Sequence, residues 1–276
     1  MERMIRRWKS LTAQQVQKLF DESTPAQYAH GGLGGGEYMP PLCEELTGKH
    51  FRLSFEQTGE TYDYQILDKL TLEWSVSSQP EKVHTEYQEC LKSEEGVYLL
   101  HHIIKGSVPP AVVTMVLDFN TGLVTMVRAH FGNESEAREV ARSFLFGTIC
   151  GYDSYPNEKH HFTGDLVGKA INWVYHVGMN PIKHIYSTEY YYTYVMEFDG
   201  KCWVASNPAD FVKINDHLYI FSFLEERQSG TQGLFLINTD TLHDIGSFTG
   251  INNELQFESY LVGAKGEWTT METHLM

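Results

Sequence analysis

The chain has 276 residues, a formal net charge of −15, 42% hydrophobic and 21% charged residues. That length holds two domains of ordinary size, and the composition is that of a folded globular protein. So acidic a balance excludes a protein that tracks a nucleic-acid backbone, which needs a basic face. No apolar run reaches the ~18 residues that cross a bilayer.

Residues 1–41 read as a lead-in. The start is basic (Arg3, Arg6, Arg7, Lys9), but no apolar run follows, so no secretory signal is expected. Cys43, Cys90, Cys150 and Cys202 are far apart and form no CxxC, which fits reduced thiols in a cytoplasmic protein. Thr12 and Gln15 have the spacing of a helix-capping pair, and Val16, Leu19 and Phe20 follow at helical intervals. One short helix with a sticky face is predicted; a homodimer partner is one occupant for that face. Pro25 ends the helix. The glycine-rich run 30–37 lacks the preceding strand and following helix of a nucleotide fingerprint, and reads as a flexible lead-in or a lid.

From Gly48 the period changes to two, opening a first domain over 42–150. Phe51, Leu53 and Phe55 alternate with polar residues, and strands are predicted at 51–55, 62–66, 70–74, 83–91, 96–104, 112–119 and 123–131. Asn120 to Gly122 is a tight turn. Such a meander closes on itself because closure removes exposed edges. A helix is predicted next, with Asn133 as cap, Glu136 at the third position, and Ala137, Val140, Ala141, Phe144 and Leu145 as its apolar stripe. Residues 147–164 mark the boundary. His160 and His161 within it read as solvated, since no metal-ligand spacing surrounds them.

A second domain, 151–276, repeats the pattern with strands at 170–176, 183–188, 190–197, 201–205, 211–214, 218–225, 233–238 and 242–249, and a final pair at 255–260 and 264–269. The halves rhyme. Leu46, Gly48 and Lys49 recur as Leu166, Gly168 and Lys169, an offset of 120. Residues 95–100 are echoed by 216–221, and 113–127 by 233–246. A repeat this long is one structural unit used twice.

The segments LTGKHFRLSF (46–55), EGVYLLHH (95–102), VLDFNTG (116–122), FGTICG (146–151), LVGKAINWVYHVG (166–178), DHLYIFSFLEE (216–226) and GLFLINTDTL (233–242) resemble the MoaF family, and the likeness runs over about 42–267. The resemblance implies two lipocalin-like (calycin) barrels in tandem. The first repeat is also faintly similar to phenolic acid decarboxylases, small barrels that work without a cofactor through tyrosines, an arginine and a glutamate. Their paired tyrosines follow Gly-Lys-x-x-x-Tyr-x-Tyr; here those places hold Leu53 and Phe55, and in the second repeat Trp173 and Tyr175.

In the first repeat, Tyr64, Trp74 and Tyr98 are candidate cavity aromatics. Arg128 and His130 share a face with Val124 and Met126. Either they enter the barrel, where a guanidinium fork can hold a carboxylate and a neutral imidazole can move a proton, or they reach solvent at the strand's end. His101 and His102 face opposite ways, and the repeat aligns His102 with Phe223, which puts His102 inside. In the second repeat Tyr219, Phe223, Glu225 and Arg227 share a face, so Glu225 and Arg227 are a clamp, an acid/base pair, or a rim ion pair of small worth. Trp173, Tyr175, Tyr186 and Tyr192 complete the candidate lining.

The expectation is therefore an all-β protein of two tandem lipocalin-like barrels, with a helical lead-in and a short helix after the first barrel. The expected function is cofactor-independent acid–base catalysis (a lyase, isomerase or cyclase) on an aromatic or hydrophobic acid. His102, Arg128, His130, Tyr175 and Glu225 are its catalytic candidates. A carrier or sensor of a small hydrophobic ligand is the alternative. Neither reading calls for a metal, a nucleic acid or a membrane.

Overall fold

The computed structural model describes residues 11–28, 32–132, 139–198, 200–228 and 230–272. The first barrel runs β1 (His50–Phe55), β2 (Glu60–Asp68), β3 (Thr71–Val76), β4 (Gln79–Glu94), β5 (Val97–Ile104), β6 (Ala111–Asp118), β7 (Leu123–Phe131) and β8 (Val140–Ile149). All neighbours are antiparallel, and β8 returns to β1 with Leu53 opposite Ile149. After a two-residue strand β9 (His161–Phe162), the second barrel runs β10 (Ala170–Val174), β11 (Ile182–Thr188), β12 (Tyr191–Phe198), β13 (Lys201–Lys213), β14 (Leu218–Leu224), β15 (Gly230–Asn238), β16 (His243–Ile251) and β17 (Phe257–Thr269). Pairing of β10 with β17 and of β12 with β13 closes it, while β9 lies against the far end of β13.

The duplication extends to single hydrogen bonds. Gly48 and Gly168 both adopt positive φ (79° and 81°), which glycine tolerates without a steric penalty. The Gly48 amide donates to the Ile66 carbonyl at 2.8 Å, and the Gly168 amide to the Tyr186 carbonyl at 2.9 Å. At the later hairpins Asp118 Oδ1 accepts from the Asn120 amide, and Asn238 Oδ1 from the Asp240 amide. Register therefore maps one barrel onto the other strand by strand, β1–β8 onto β10–β17.

Alternation sorts the side chains. Inward positions of the first barrel bury Phe51, Leu53, Tyr64, Trp74, Leu100, Met115 and Met126. Outward positions of β5, β6 and β7 are apolar too, because they pack against β14, β15 and β16: Leu99, Val116 and Val127 meet Ile220, Leu234 and Ile245. His101 sits in this seam, held by the hydroxyls of Thr114, Ser259 and Thr249. Burial pushes it down to about 4, so it stays neutral.

Helix α1 (Ala13–Glu22) opens with the expected box. The Gln15 amide donates to Thr12 Oγ1, and the Thr12 amide to Gln15 Oε1. Its sticky face is covered within the chain. Phe20 lies 4.9 Å from Phe131 of the first barrel and 4.3 Å from Phe257 of the second, so the helix bolts the two together.

Four expectations need correction. Residues 140–149 are strand β8, not the end of a helix; Asn133, Glu136 and Ala137 lie outside the described residues. The stripe Val140, Phe144 and Leu145 fits both periods, and the barrel's need for an eighth strand decides between them. Residues 257–269 form one strand where a pair was expected. Gly263 makes no turn there; it lets the backbone of Tyr38 and Met39 cross close by, and a Cβ on it would meet Met39 Cα at 2.6 Å. Residues 201–213 are likewise continuous, with Pro208 opposite Tyr191 at the last pair made with β12. His160 is buried, bonds to Thr125 Oγ1 at 2.9 Å and is pushed down to about 4 by burial.

Candidate functional site

A cavity of about 470 Å³ occupies the open end of the second barrel, within the range of small-molecule pockets. Its wall is aromatic: Tyr175 from the end of β10, Tyr192 and Tyr194 from β12, Trp203 from β13, Phe223 from β14, Phe248 from β16 and Tyr260 from β17. Below it, Trp173 Nε1 donates to the Tyr186 hydroxyl at 3.3 Å, and Tyr186 sets its edge on Phe211 and Phe221, forming a solid floor. Trp173 and Tyr186 thus support the cavity without lining it. Asp244, completely buried, also lies inside the barrel at the depth of this floor, and burial raises its pKa well above the ordinary carboxylate range.

Two carboxyl groups face the cavity. Glu225, just past β14, has Oε2 accepting from Asn207 Nδ2 at 3.1 Å and Oε1 accepting from the Arg227 amide at 2.9 Å. Burial raises its pKa in spite of those two donors. Asn207 Nδ2 also reaches the Tyr192 hydroxyl at 3.1 Å, tying phenol and carboxyl into one unit. Glu258 on β17 accepts from Thr231 Oγ1 at 3.1 Å, and burial pushes it up to about 7. Burial, then the Glu225 charge, raises the Tyr194 phenol, so that hydroxyl keeps its proton. His184 lines the cavity beside Tyr192 and Tyr194, held neutral by burial at about 3, with Nδ1 lacking a partner among the described residues. Arg227 does not form an ion pair with Glu225: its guanidinium lies 3.4 Å from the centre of the Trp203 ring.

The glycine-rich lead-in meets the same cavity. Gly32 and Leu33 line it. His176 Nε2 bonds the Gly32 carbonyl at 2.9 Å, Glu37 Oε2 accepts from the Val177 amide at 3.0 Å, and His243 Nε2 bonds the Tyr38 carbonyl at 2.8 Å. Gly34 lies against the Tyr260 ring and Gly36 against the Tyr175 carbonyl, with no space for a Cβ at either. The segment is a strap drawn across the barrel end.

Of the sequence candidates, Tyr175, Tyr192, Phe223, Glu225 and Arg227 come together here. Tyr219 turns to the other end of the barrel, where its hydroxyl donates to Asp165 Oδ2. Tyr98 does the same in the first barrel, donating to Glu45 Oε2 at 2.7 Å. Tyr64, Trp74, His102 and Arg128 lie inside the first barrel, with Tyr64 Oη 3.3 Å from His102 Nε2; His130 follows Arg128 at the rim. Sequence reasoning missed Asn207 and Glu258 as functional groups. Asn207 falls in the gap between two expected strands and Glu258 within the short expected strand 255–260, and the pairing observed along β13 and β17 turns both inward.

Among the described residues no helix is long and apolar enough to cross a membrane. No curated protein matches the sequence. Residues 27–133 match the MoaF N-terminal domain and residues 160–271 the MoaF C-terminal domain. With both halves matched in order and each closed into its own barrel, the chain belongs to the MoaF family.

Proposed function

We propose that the second barrel takes up a small aromatic or hydrophobic acid in the cytoplasm and moves a proton on it without a cofactor, as a lyase, isomerase or cyclase. The observation that carries this reading is a pair of carboxyl groups, Glu225 and Glu258, facing one aromatic cavity with pKa values raised by burial. A carboxyl poised near neutrality takes or gives a proton at little cost in free energy. In the ionised form Glu225 serves as base, and Glu258, protonated below about pH 7, as acid. Aromatic faces hold the substrate's apolar body, and the Arg227 fork at the entrance suits its carboxylate.

A carrier is the second reading, favoured by the otherwise apolar wall of Tyr175, Phe223, Phe235 and Phe248. Denaturing the purified protein and identifying the released molecule by mass spectrometry supplies the ligand. Its turnover by wild type, Glu225→Gln and Glu258→Gln then separates the readings. Catalysis predicts at least a hundredfold loss of turnover with binding preserved within a few-fold. Binding with no chemical change in the wild type overturns catalysis in favour of carriage.

A further inference from the structure

The interior of the first barrel holds a second polar constellation, separate from the cavity of the second. Two rows of paired residues face each other across the lumen: Tyr64, Trp74 and His84 on β2, β3 and β4, and His102, Val113 and Arg128 on β5, β6 and β7. The Tyr64 hydroxyl spans the gap to His102 Nε2, and the Trp74 and His102 ring centres are 6.0 Å apart. Three nitrogens here have no partner among the described residues: Trp74 Nε1, His102 Nδ1 and Arg128 Nε. Trp74 is 7% exposed and His102 1%.

The tryptophan and arginine groups are donors only. When the Tyr64 phenol donates to Nε2, the neutral His102 ring carries its proton on Nδ1, making a third donor. Leaving such groups buried and unpaired is costly. Nearby carboxyls do not serve them: Glu60 takes the Tyr62 and Ser78 hydroxyls, and Glu86 takes the Lys105 amide on Oε1 while its Oε2 has no partner among the described residues.

Packing does not demand this arrangement. The row His102, Val113, Arg128 corresponds in register to Phe223, Gly233, Phe248 in the second barrel. The same architecture closes with phenylalanine at the histidine and arginine positions, so a guanidinium and an imidazole there are specific to the first barrel.

We propose that the first barrel binds a small oxyanion, a carboxylate or an inorganic phosphate, received by Arg128, Trp74 and His102. The shared chemistry is an acceptor-rich negative group, the partner that the unpaired N–H groups on this barrel's inner face lack. The chain would then hold two ligands of different character, one in each barrel.

Calorimetric titration of the full chain with acetate, formate and inorganic phosphate, none of which carries the apolar body that the other cavity takes, tests this and identifies the source. Saturable binding of at least one of them is expected, weakened at least tenfold by Arg128→Met and several-fold by Trp74→Phe, which keeps an aromatic ring and removes the N–H. Arg227→Met, which removes the cationic group at the other cavity, should leave it unchanged. Should Arg128→Met not fold, an anomalous peak beside Arg128 in wild-type crystals grown with selenate carries the same weight. The proposal fails if none of the three anions binds at millimolar concentration. It fails equally if binding survives Arg128→Met in folded protein, or is lost in Arg227→Met instead.

Discussion

Glu225 and Arg227 stand two residues apart and meet through the backbone: the Arg227 amide donates to Glu225 Oε1 at 2.9 Å, while the guanidinium turns away onto Trp203. The carboxyl is thereby fixed in direction without being neutralised by a side-chain cation. Burial then controls its proton affinity, opposed first by the Arg227 amide and next by Asn207, whose side chain a substitution can remove.

Replacing Asn207 with leucine keeps the volume and removes the donor shared by Tyr192 and Glu225. Since that bond lowers the Glu225 pKa, its loss should raise it. Carbon-13 NMR of labelled glutamate side chains reads the midpoint directly. An unmoved midpoint in folded protein would show that Asn207 does not tune the carboxyl.

Glu258 makes stability depend on pH. A carboxyl that binds its proton more tightly when folded favours the fold fully below its unfolded value of 4.5, and this advantage is lost as the pH rises through about 7. The gap between the two values corresponds to roughly 3 kcal/mol. Glu258→Gln should therefore match the parent near pH 4.5 and exceed it in stability by about 2–3 kcal/mol at pH 8. Urea midpoints at both pH values check this, and an equal difference at both would refute it.

Phe20→Ala removes the bolt between the barrels. A buried phenylalanine deletion costs about 3–5 kcal/mol, and here Phe131 and Phe257 each lose a ring neighbour. Calorimetry should show a lower, broader transition, as coupling between the halves weakens. A single sharp transition at the parent temperature would mean that the seam alone holds them.

Gly263→Ala sets a methyl against the strap, 2.7 Å from the Tyr38 carbonyl. Overpacking of this kind costs about 1–3 kcal/mol, and the easiest relief is for the strap to lift. The expected result is a lower melting temperature together with stronger binding of a hydrophobic dye in the opened cavity. Unchanged dye binding would indicate that the strap does not limit entry.

The barrels were legible because alternation and the 120-residue echo both survive in the letters: Gly48 and Gly168 mark the same turn, and Phe51 to Phe55 declares its face. The expected inward side of His102 holds for the same reason, since its offset from Phe223 fixes the face. β8 was misread because a stripe of Val140, Phe144 and Leu145 satisfies two periods at once, and only long-range pairing with β1 and β7 selects one. The site was half visible. Tyr175, Tyr192, Phe223, Glu225 and Arg227 follow from periodicity on strands already recognised, whereas Glu258 needs the uninterrupted β17 and the strap needs a crossing no local pattern encodes.

The cavity's boundary draws on Gly32 and Leu33 near one end of the sequence and on Glu258 and Tyr260 near the other. Contacts so distant in sequence are slow to form. A ribosome emitting this protein releases the ceiling of the chamber long before the last of its walls. The first barrel's strands can therefore all be present while the cavity of the second is still unformed, and an interrupted translation product would carry the first barrel without that cavity.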